Sequence, residues 1–136
     1  MDIIQYDNAV KNWMDYRCIT DKTSPQWSLL RSVYIDKNGL CKIGVYYCVA
    51  MGKHFGNIGD KYRITFENGN TELLIHSDIK DDKDVVMQTY HSWNNSILEF
   101  LVDTNVLNKN VKRSGDVNTL SDFNGKIIKI EKIIEK

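Results

Sequence analysis

The sequence predicts a mainly β fold, a small barrel of about six strands with a short N-terminal helix. Short runs rich in Val, Ile and Tyr recur along the chain, as is typical of strands. Turn-forming pairs, Asn38-Gly39 and Asn68-Gly69, separate these runs and indicate hairpins. At 136 residues the chain suits one hydrophobic core, so residues 1–136 are expected to form a single domain.

The composition narrows the functional classes. The 18 Lys and Arg residues balance the 18 Asp and Glu residues, which argues against broad electrostatic binding to nucleic acid. No apolar run approaches the roughly 20 residues of a membrane span. The N-terminus lacks the basic and apolar regions of a signal peptide. We therefore expect no nucleic-acid partner and no membrane span, and the compartment stays open between the cytoplasm and export.

The first element is predicted to be an amphipathic helix over residues 5–16. Its apolar residues fall on one face at helical spacing: Tyr6, Val10, Trp13 and Met14. Residues 18–27 are expected to form a loop, because Pro25 disfavours a helix before it.

Residues 28–51 are predicted to form a β-hairpin. The first strand covers 28–36, the turn lies at 36–39, and the second strand runs over 40–51. Asn38 and Gly39 tolerate the positive φ angles that such a turn needs.

Residues 58–134 are predicted to form the core of the barrel. A second hairpin over 61–77 turns at Asn68-Gly69. A strand follows over 97–102, and isoleucines alternating with charges predict a last strand over 126–134. The polar stretch 78–96 and the stretch 105–125 are the two long connections.

The sequence indicates neither a metal nor a cofactor. Cys18, Cys41 and Cys48 lack the spacing of zinc ligands, and the acidic stretch 78–84 lacks the glycine and glutamate of a calcium loop. Cys18 and Cys48 are open to two interpretations, a disulfide or buried reduced thiols.

Two aspartates each end a β-like segment. Asp78 follows the second hairpin and Asp103 follows the strand over 97–102. Acids at strand ends serve acid–base chemistry or cation binding, and they also serve simply as strand terminators.

The order of features over residues 58–132 resembles the "3D" domain, a double-psi β-barrel found in stationary-phase secreted proteins and lytic transglycosylases. The resemblance depends on five segments: Ile58-Gly59-Asp60-Lys61-Tyr62-Arg63-Ile64, Ile75-His76-Ser77-Asp78, Leu98-Glu99-Phe100-Leu101-Val102-Asp103, Ser114-Gly115-Asp116-Val117 and Lys126-Ile127-Ile128-Lys129-Ile130. The family's glycine-rich stretch after the first aspartate is replaced here by residues 79–84. The chain also looks like uncharacterised proteins of Gram-positive, clostridial bacteria and their prophages.

The resemblance implies a six-stranded double-psi-like barrel that acts on or binds peptidoglycan in the cell envelope. Asp103 would be the catalytic acid and base, and Asp78 would be the neighbouring carboxylate that raises its pKa. His76 and His91 would orient the carboxylates, and Asp116 would hold a loop through backbone N–H groups.

Two non-enzymatic functions fit the residues as well. A binding or structural module of a phage or envelope would stack aromatic rings on sugars: Trp27, Trp93, Tyr46 and Tyr90. A small inhibitor or adaptor with a protein partner is the other alternative.

Overall fold

The computed structural model describes residues 10–80, 85–86, 90–91 and 96–134, and it shows a mainly β chain as predicted. The strands within these ranges are β1 Val10–Asp15, β2 Tyr34–Ile35, β3 Cys41–Ile43, β4 Tyr46–Gly52, β5 Lys61–Phe66, β6 Thr71–Lys80, β7 Val85–Val86, β8 Tyr90–His91, β9 Ser96–Val102 and β10 Ile127–Ile133. The helices are α1 Pro25–Leu29 and α2 Lys109–Ser114, and 3₁₀ turns cover Tyr16–Cys18, Leu30–Ser32, Lys53–Phe55, Val117–Thr119 and Ser121–Phe123.

The strands form one open, mixed sheet in the order β1-β9-β4-β6-β5-β10. β1 is parallel to β9 and β4 is parallel to β6, whereas the other neighbours are antiparallel. β3 pairs with the first half of β4, and β2 pairs with β3. β7 and β8 form a separate two-stranded sheet.

Both faces of the main sheet are buried. The first face packs against α2 and the 3₁₀ turns that follow it, through Val111, Val117 and Phe123. The second face packs against α1 and the following turn, through Leu29 and Leu30. The central strands are therefore covered on both sides.

The predicted N-terminal helix is wrong over the described part of residues 5–16, where Val10–Asp15 forms strand β1. Trp13 packs on the first face and its neighbour Met14 packs on the second. Because both faces are buried, adjacent positions are apolar, and the spacing matches a helix by coincidence.

The predicted hairpin over 28–51 is only partly correct. The turn at Gly39 is confirmed, with φ of 87° and a 3.0 Å bond from its N–H to the Asp36 carbonyl. However, residues 25–29 form α1, because Ser24 caps the helix and Pro25 occupies its first turn. The predicted strand over 40–51 is two strands, which turn at Gly44 with φ of 59°.

Strands are present where they were predicted within residues 58–134, but the return strand of the second hairpin is longer than predicted. β6 runs over Thr71–Lys80, so Asp78 lies inside the strand and does not end it, and the predicted connection over 78–96 also contains β7 and β8. β5 and β6 pair as a hairpin that turns at Gly69, and β9 and β10 follow as expected. The connection over 105–125 contains α2, which we did not predict. Asn108 caps its start, and Gly115 ends it with φ of 75°.

The three cysteines are free thiols in this fold. Cys18 is exposed, whereas Cys41 and Cys48 are buried in the sheet. Burial raises the pKa of the Cys48 thiol to about 11. Of the two interpretations, a disulfide or buried reduced thiols, the structure supports the buried reduced thiol for Cys48, and no disulfide joins it to Cys18.

No helix in the described part of the chain is long and apolar enough to cross a membrane.

Candidate functional site

A cleft of about 390 Å³ opens beside α1 on the second face of the sheet. Its wall includes Tyr16, Arg17, Ile19, Lys22, Trp27 and Arg31. All of these residues belong to the segment that links β1 to β2, so the cleft is built from a short stretch of sequence. Its volume falls within the roughly 300–1,000 Å³ that is usual for small-ligand sites.

Local hydrogen bonds fix the backbone of this segment. A carboxylate oxygen of Asp15 accepts a bond from the Arg17 N–H at 2.8 Å and caps the 3₁₀ turn after β1. The Ser24 hydroxyl accepts a bond from the Trp27 N–H at 3.1 Å and caps α1. These two caps set the positions from which Arg17 and Trp27 enter the cleft.

Trp27 lies among cations. The Arg31 guanidinium stacks 3.6 Å from the centre of the indole ring, and its Nε donates to the Trp27 carbonyl at 3.1 Å. Lys22 Nζ lies 5.8 Å from the same ring. Neither Lys22 nor Arg31 forms an ion pair with any carboxylate of the described residues. This end of the cleft therefore combines positive charge with an aromatic surface.

Arg17, which also lines the cleft, is already paired. Its Nη2 donates to Asp15 at 2.7 Å and to Asp103 at 3.0 Å. Asp103 also accepts a bond from the Asn105 N–H at 3.0 Å. Asp103 thus orients Arg17 at the rim of the cleft.

Asp15 joins the ends of β1 and β9. Besides Arg17, it accepts bonds from the Thr104 N–H at 3.0 Å and the Thr104 hydroxyl at 2.7 Å. The Arg17 side chain, aided by Thr104, holds the pKa of Asp15 well below its usual range. Asp15 is therefore an ionised link between two strands that are far apart in sequence.

Asp78 lies in a different setting on β6. Its carboxylate accepts a long bond of 3.4 Å from the Gln26 side chain of α1. Ala50 of β4 pairs with Asp78 on one side and with Glu99 of β9 on the other. Burial raises the pKa of Asp78, and the charge of Glu99 adds to the effect.

The structure does not bring Asp78 and Asp103 together. Asp78 lies level with Glu99, two strands away, and Asp103 is four residues further along β9. With strands about 4.8 Å apart and about 3.3 Å per residue, their Cα atoms are separated by roughly 16 Å. The expected close pair at a barrel mouth was wrong because β4 lies between the two strands. The catalytic roles of Asp78 and Asp103 stay predictions.

His76 lies in the core instead of beside the carboxylates of a site. It is fully buried, its Nε2 lies 3.2 Å from the Met51 carbonyl, and its ring packs edge-on against Tyr62. Burial lowers the pKa of His76, which favours the neutral imidazole. A ligand-binding role does not fit a side chain without solvent access.

Asp116 caps a 3₁₀ turn, since its carboxylate accepts a bond from the Asn118 N–H at 2.8 Å. This bond is of the kind expected for Asp116, and its role at a functional site stays a prediction. The side chains of Tyr90 and His91 and the whole of Trp93 lie outside the described residues, and only the backbone of Tyr90 and His91 is placed, in β8.

Trp27 is one of the predicted sugar-stacking residues, but the sequence did not lead us to predict the cations around it. A signal was present, because Ser24-Pro25 is a helix start and Trp27 and Arg31 follow with helical i, i+4 spacing. Our prediction of a loop and then a strand over this stretch concealed that spacing.

Comparison of the chain with protein-family models, with curated proteins and with solved structures found no match. The described residues contain no group of His, Cys, Asp and Glu side chains that would hold a metal ion.

Proposed function

We propose that this protein is a binding domain of the cell envelope, and that it takes an anionic cell-wall glycan in the cleft beside α1. One observation carries the proposal: Lys22 and Arg31 lie beside the Trp27 ring and form no ion pair with a described carboxylate. A peptidoglycan strand offers the matching chemistry, since its sugar rings have apolar faces and its stem peptides carry carboxylates. An envelope or extracellular location belongs to the same proposal.

The free and the paired cations of the cleft have different roles in this binding mode, where free means without an ion pair to a described carboxylate. A carboxylate of the ligand pairs with Lys22 and Arg31, with which no acid of the described residues forms an ion pair. The sugar ring packs on the apolar surface of Trp27 and Tyr16. Arg17 contributes hydrogen bonds at the rim, because Asp15 and Asp103 already neutralise its charge.

The test is cosedimentation of the protein with purified, insoluble peptidoglycan. We expect Trp27→Ala and Arg31→Gln each to weaken binding by about tenfold, the loss that corresponds to about 1.4 kcal/mol of contact energy. Arg113→Gln is the matched control, because it removes an exposed arginine from α2 away from the cleft. Added salt should weaken binding by the wild type, since the ion pairs are near the surface. Unchanged binding by both cleft variants would refute the proposal.

A second candidate function is glycan cleavage by the same domain, and the half-buried Asp78 favours it. In the reaction of lytic transglycosylases, one protonated carboxyl group gives its proton to the glycosidic oxygen, and the carboxylate then takes a proton from the attacking hydroxyl of the sugar. The raised pKa of Asp78 suits this cycle, and Asp103, which is paired with Arg17, suits it less. Release of soluble muropeptides that is lost in Asp78→Asn and kept in Asp103→Asn would support this function. No release by the wild type would exclude it.

The double-psi arrangement belongs to this proposal as well. The parallel pairs β1 with β9 and β4 with β6 support it, because parallel neighbours require crossing connections. A closed six-stranded barrel further needs β1 to meet β10, the two ends of the sheet order. Backbone contacts between β1 and β10 in a nuclear Overhauser spectrum would decide between a closed barrel and an open sheet.

A further inference from the structure

Three cations line the cleft beside α1, and they differ in their pairing. Arg17, Lys22 and Arg31 all contribute to its wall, and of these only Arg17 forms an ion pair with a carboxylate of the described residues. A sphere with the cleft's volume of about 390 Å³ is about 9 Å across, less than the screening length of about 10 Å at 0.1 M salt. A ligand in the cleft is therefore influenced by all three cations and by the acids that are bound to them.

Arg17 is bound by two carboxylates, which is one more than its charge requires. Its Nε and Nη2 donate to the two carboxylate oxygens of Asp15, at 2.9 Å and 2.7 Å. This is the bidentate arrangement, in which a single acid both neutralises and orients an arginine. Nη2 donates in addition to Asp103 at 3.0 Å. The group of Arg17, Asp15 and Asp103 therefore carries one negative charge in excess.

The negative charge of Asp103 contributes little to the fold. Within the described part of the chain, its side chain binds Arg17 and the Asn105 N–H, each at 3.0 Å. An asparagine oxygen would accept the Asn105 bond as well, without the charge. The backbone of Asp103 is held separately, because its N–H donates to the Gly39 carbonyl at 2.9 Å. The Asp103 charge therefore acts mainly beside Arg17, in the cleft.

Building on the glycan-binding function proposed above, we propose that Asp103 limits the ligand of this cleft to one with isolated acidic groups and excludes polymers with closely spaced phosphates. Lys22 and Arg31 attract one carboxylate to the Trp27 ring. A second anion beside Arg17 meets the excess negative charge instead of an unpaired guanidinium. In peptidoglycan the carboxylates are isolated on stem peptides, whereas a poly(glycerol phosphate) chain carries a phosphate on every short repeat.

Removal of the Asp103 charge should therefore strengthen the binding of a phosphate polymer. Arg17 and Asp15 then form a neutral pair, which no longer repels a second anion in the cleft. The Arg17 side chain is partly exposed, so water screens its interactions. Single contacts between exposed charges change affinity by about two- to fivefold, and we expect a gain of that size. If Asp103 had only a structural role, its replacement would weaken binding instead.

The experiment measures two affinities of the purified protein. Cosedimentation gives the affinity for insoluble peptidoglycan that is stripped of attached polymers, and fluorescence anisotropy gives the affinity for labelled poly(glycerol phosphate). Asp103→Asn should raise the affinity for poly(glycerol phosphate) by about two- to fivefold at low salt and change that for peptidoglycan less. The gain should shrink as added salt screens the exposed charges. Asp103→Glu keeps the charge and should bind both probes as the wild type does.

Asp60→Asn is the matched control for net charge. The Asp60 carboxylate accepts a bond from the Asn57 N–H at 2.9 Å and pairs with Lys132 Nζ at 2.9 Å. Asparagine at this position makes the same change in net charge and releases a cation that does not line the cleft. This variant should bind poly(glycerol phosphate) as weakly as the wild type.

Three results would overturn the proposal. Asp103→Asn binds poly(glycerol phosphate) no more tightly than the wild type, or Asp60→Asn gains as much affinity, which would assign the effect to net charge. The third needs no variant: an excess of unlabelled poly(glycerol phosphate) displaces the wild type from peptidoglycan. Failure of the underlying glycan-binding function gives a different result, because the wild type would then not sediment with peptidoglycan at all, and both proposals would fall.

Discussion

Replacing Asp15 by Asn should loosen the junction of β1 and β9 while it preserves the shape of the side chain. Asp15 accepts five hydrogen bonds, of which three come from Arg17 and two from Thr104. An asparagine amide has one oxygen, and its NH₂ group faces donors instead of accepting from them. The variant therefore loses the charge and leaves at least one donor without its acceptor.

The size of the effect follows from the exposure of the partners. The side chain of Asp15 is 16 % exposed, so its bonds to Thr104 keep much of the strength of charge-assisted bonds, about 1.5–3 kcal/mol for the pair. The Arg17 side chain is 46 % exposed, and water screens its ion pair to below about 1 kcal/mol. We expect Asp15→Asn to lower the free energy of unfolding by about 2–3 kcal/mol.

Urea unfolding at neutral pH, followed by tryptophan fluorescence, measures this loss. Asp21→Asn is the matched control, because the Asp21 carboxylate also accepts bonds from the residue two positions on, Thr23, but binds no distant strand within the part of the chain that the structure describes. The control should unfold close to the wild type. If both variants unfold at the same urea concentration, the link between β1 and β9 does not stabilise the fold and the reasoning fails.

The pH dependence gives a second, independent check on Asp15. Its pKa is lower in the folded chain than the ordinary value of 3.8, so the unfolded chain takes up the proton first as the pH falls. The stabilisation is complete above about pH 5 and declines below about pH 4, towards the lower pKa of the folded chain. The difference between wild type and Asp15→Asn should therefore shrink in acid.

Three further predictions concern the core and one turn. In thermal unfolding, Gly39→Ala should destabilise the fold by more than about 2 kcal/mol, because φ is 87° and a Cβ there would lie 2.5 Å from the Leu107 Cα. Gly44→Ala is the control: this glycine also has a positive φ, but a Cβ there would meet open space. It should destabilise the fold by only about 1 kcal/mol in that assay. Phe123→Ala should lower the free energy of unfolding in urea by about 3–5 kcal/mol, because the buried Phe123 ring packs against three aromatic rings whose centroids are 4.9–6.3 Å away. A decrease below about 1 kcal/mol would contradict this packing. Because burial lowers the pKa of His76, the unfolded chain binds the proton first as the pH falls. The free energy of unfolding should therefore fall as the pH drops below about 6.5, and it should fall less in His76→Gln. Equal pH dependence of the free energy of unfolding in the two proteins would show that His76 does not take up a proton on unfolding.

Elements with a local signal could be predicted from the sequence. The hairpin of β5 and β6 has an Asn68-Gly69 turn between alternating residues, and the glycine adopts the expected positive φ. β10 alternates isoleucine with charge because only part of its surface is covered. In both cases the pattern depends on neighbours in sequence, and the structure agrees.

Elements buried on both sides could not be predicted in this way. In β1, Trp13 and Met14 pack on opposite faces, so the alternation that marks a strand disappears. Its partner β9 lies 87 positions further along the chain, since Asn12 pairs with Glu99 and Met14 pairs with Leu101. Nothing in the sequence around β1 specifies a pairing at such a distance.

The candidate site also has a part that depends on local sequence and a part that depends on distant strand pairing. The cleft around Trp27 is local, so the capping signal at Ser24-Pro25 would have located it if Pro25 had been interpreted as a helix start. The separation of Asp78 from Asp103 is not local, because it depends on the position of β4 between β6 and β9. Sequence order alone placed both acids near strand ends and could not give their distance.

The charges around the cleft explain how Asp103 can matter without touching a ligand. Arg17 shares its guanidinium between Asp15 and Asp103, so this end of the cleft has no excess positive charge. In the proposed binding mode, the attraction for an anion is consequently concentrated at Trp27, where Lys22 and Arg31 form no ion pair with a carboxylate of the described residues. Within the proposed binding mode, Asp103 is a positioning residue: it fixes the orientation of Arg17 and leaves the aromatic end of the cleft as the part that selects an anionic ring.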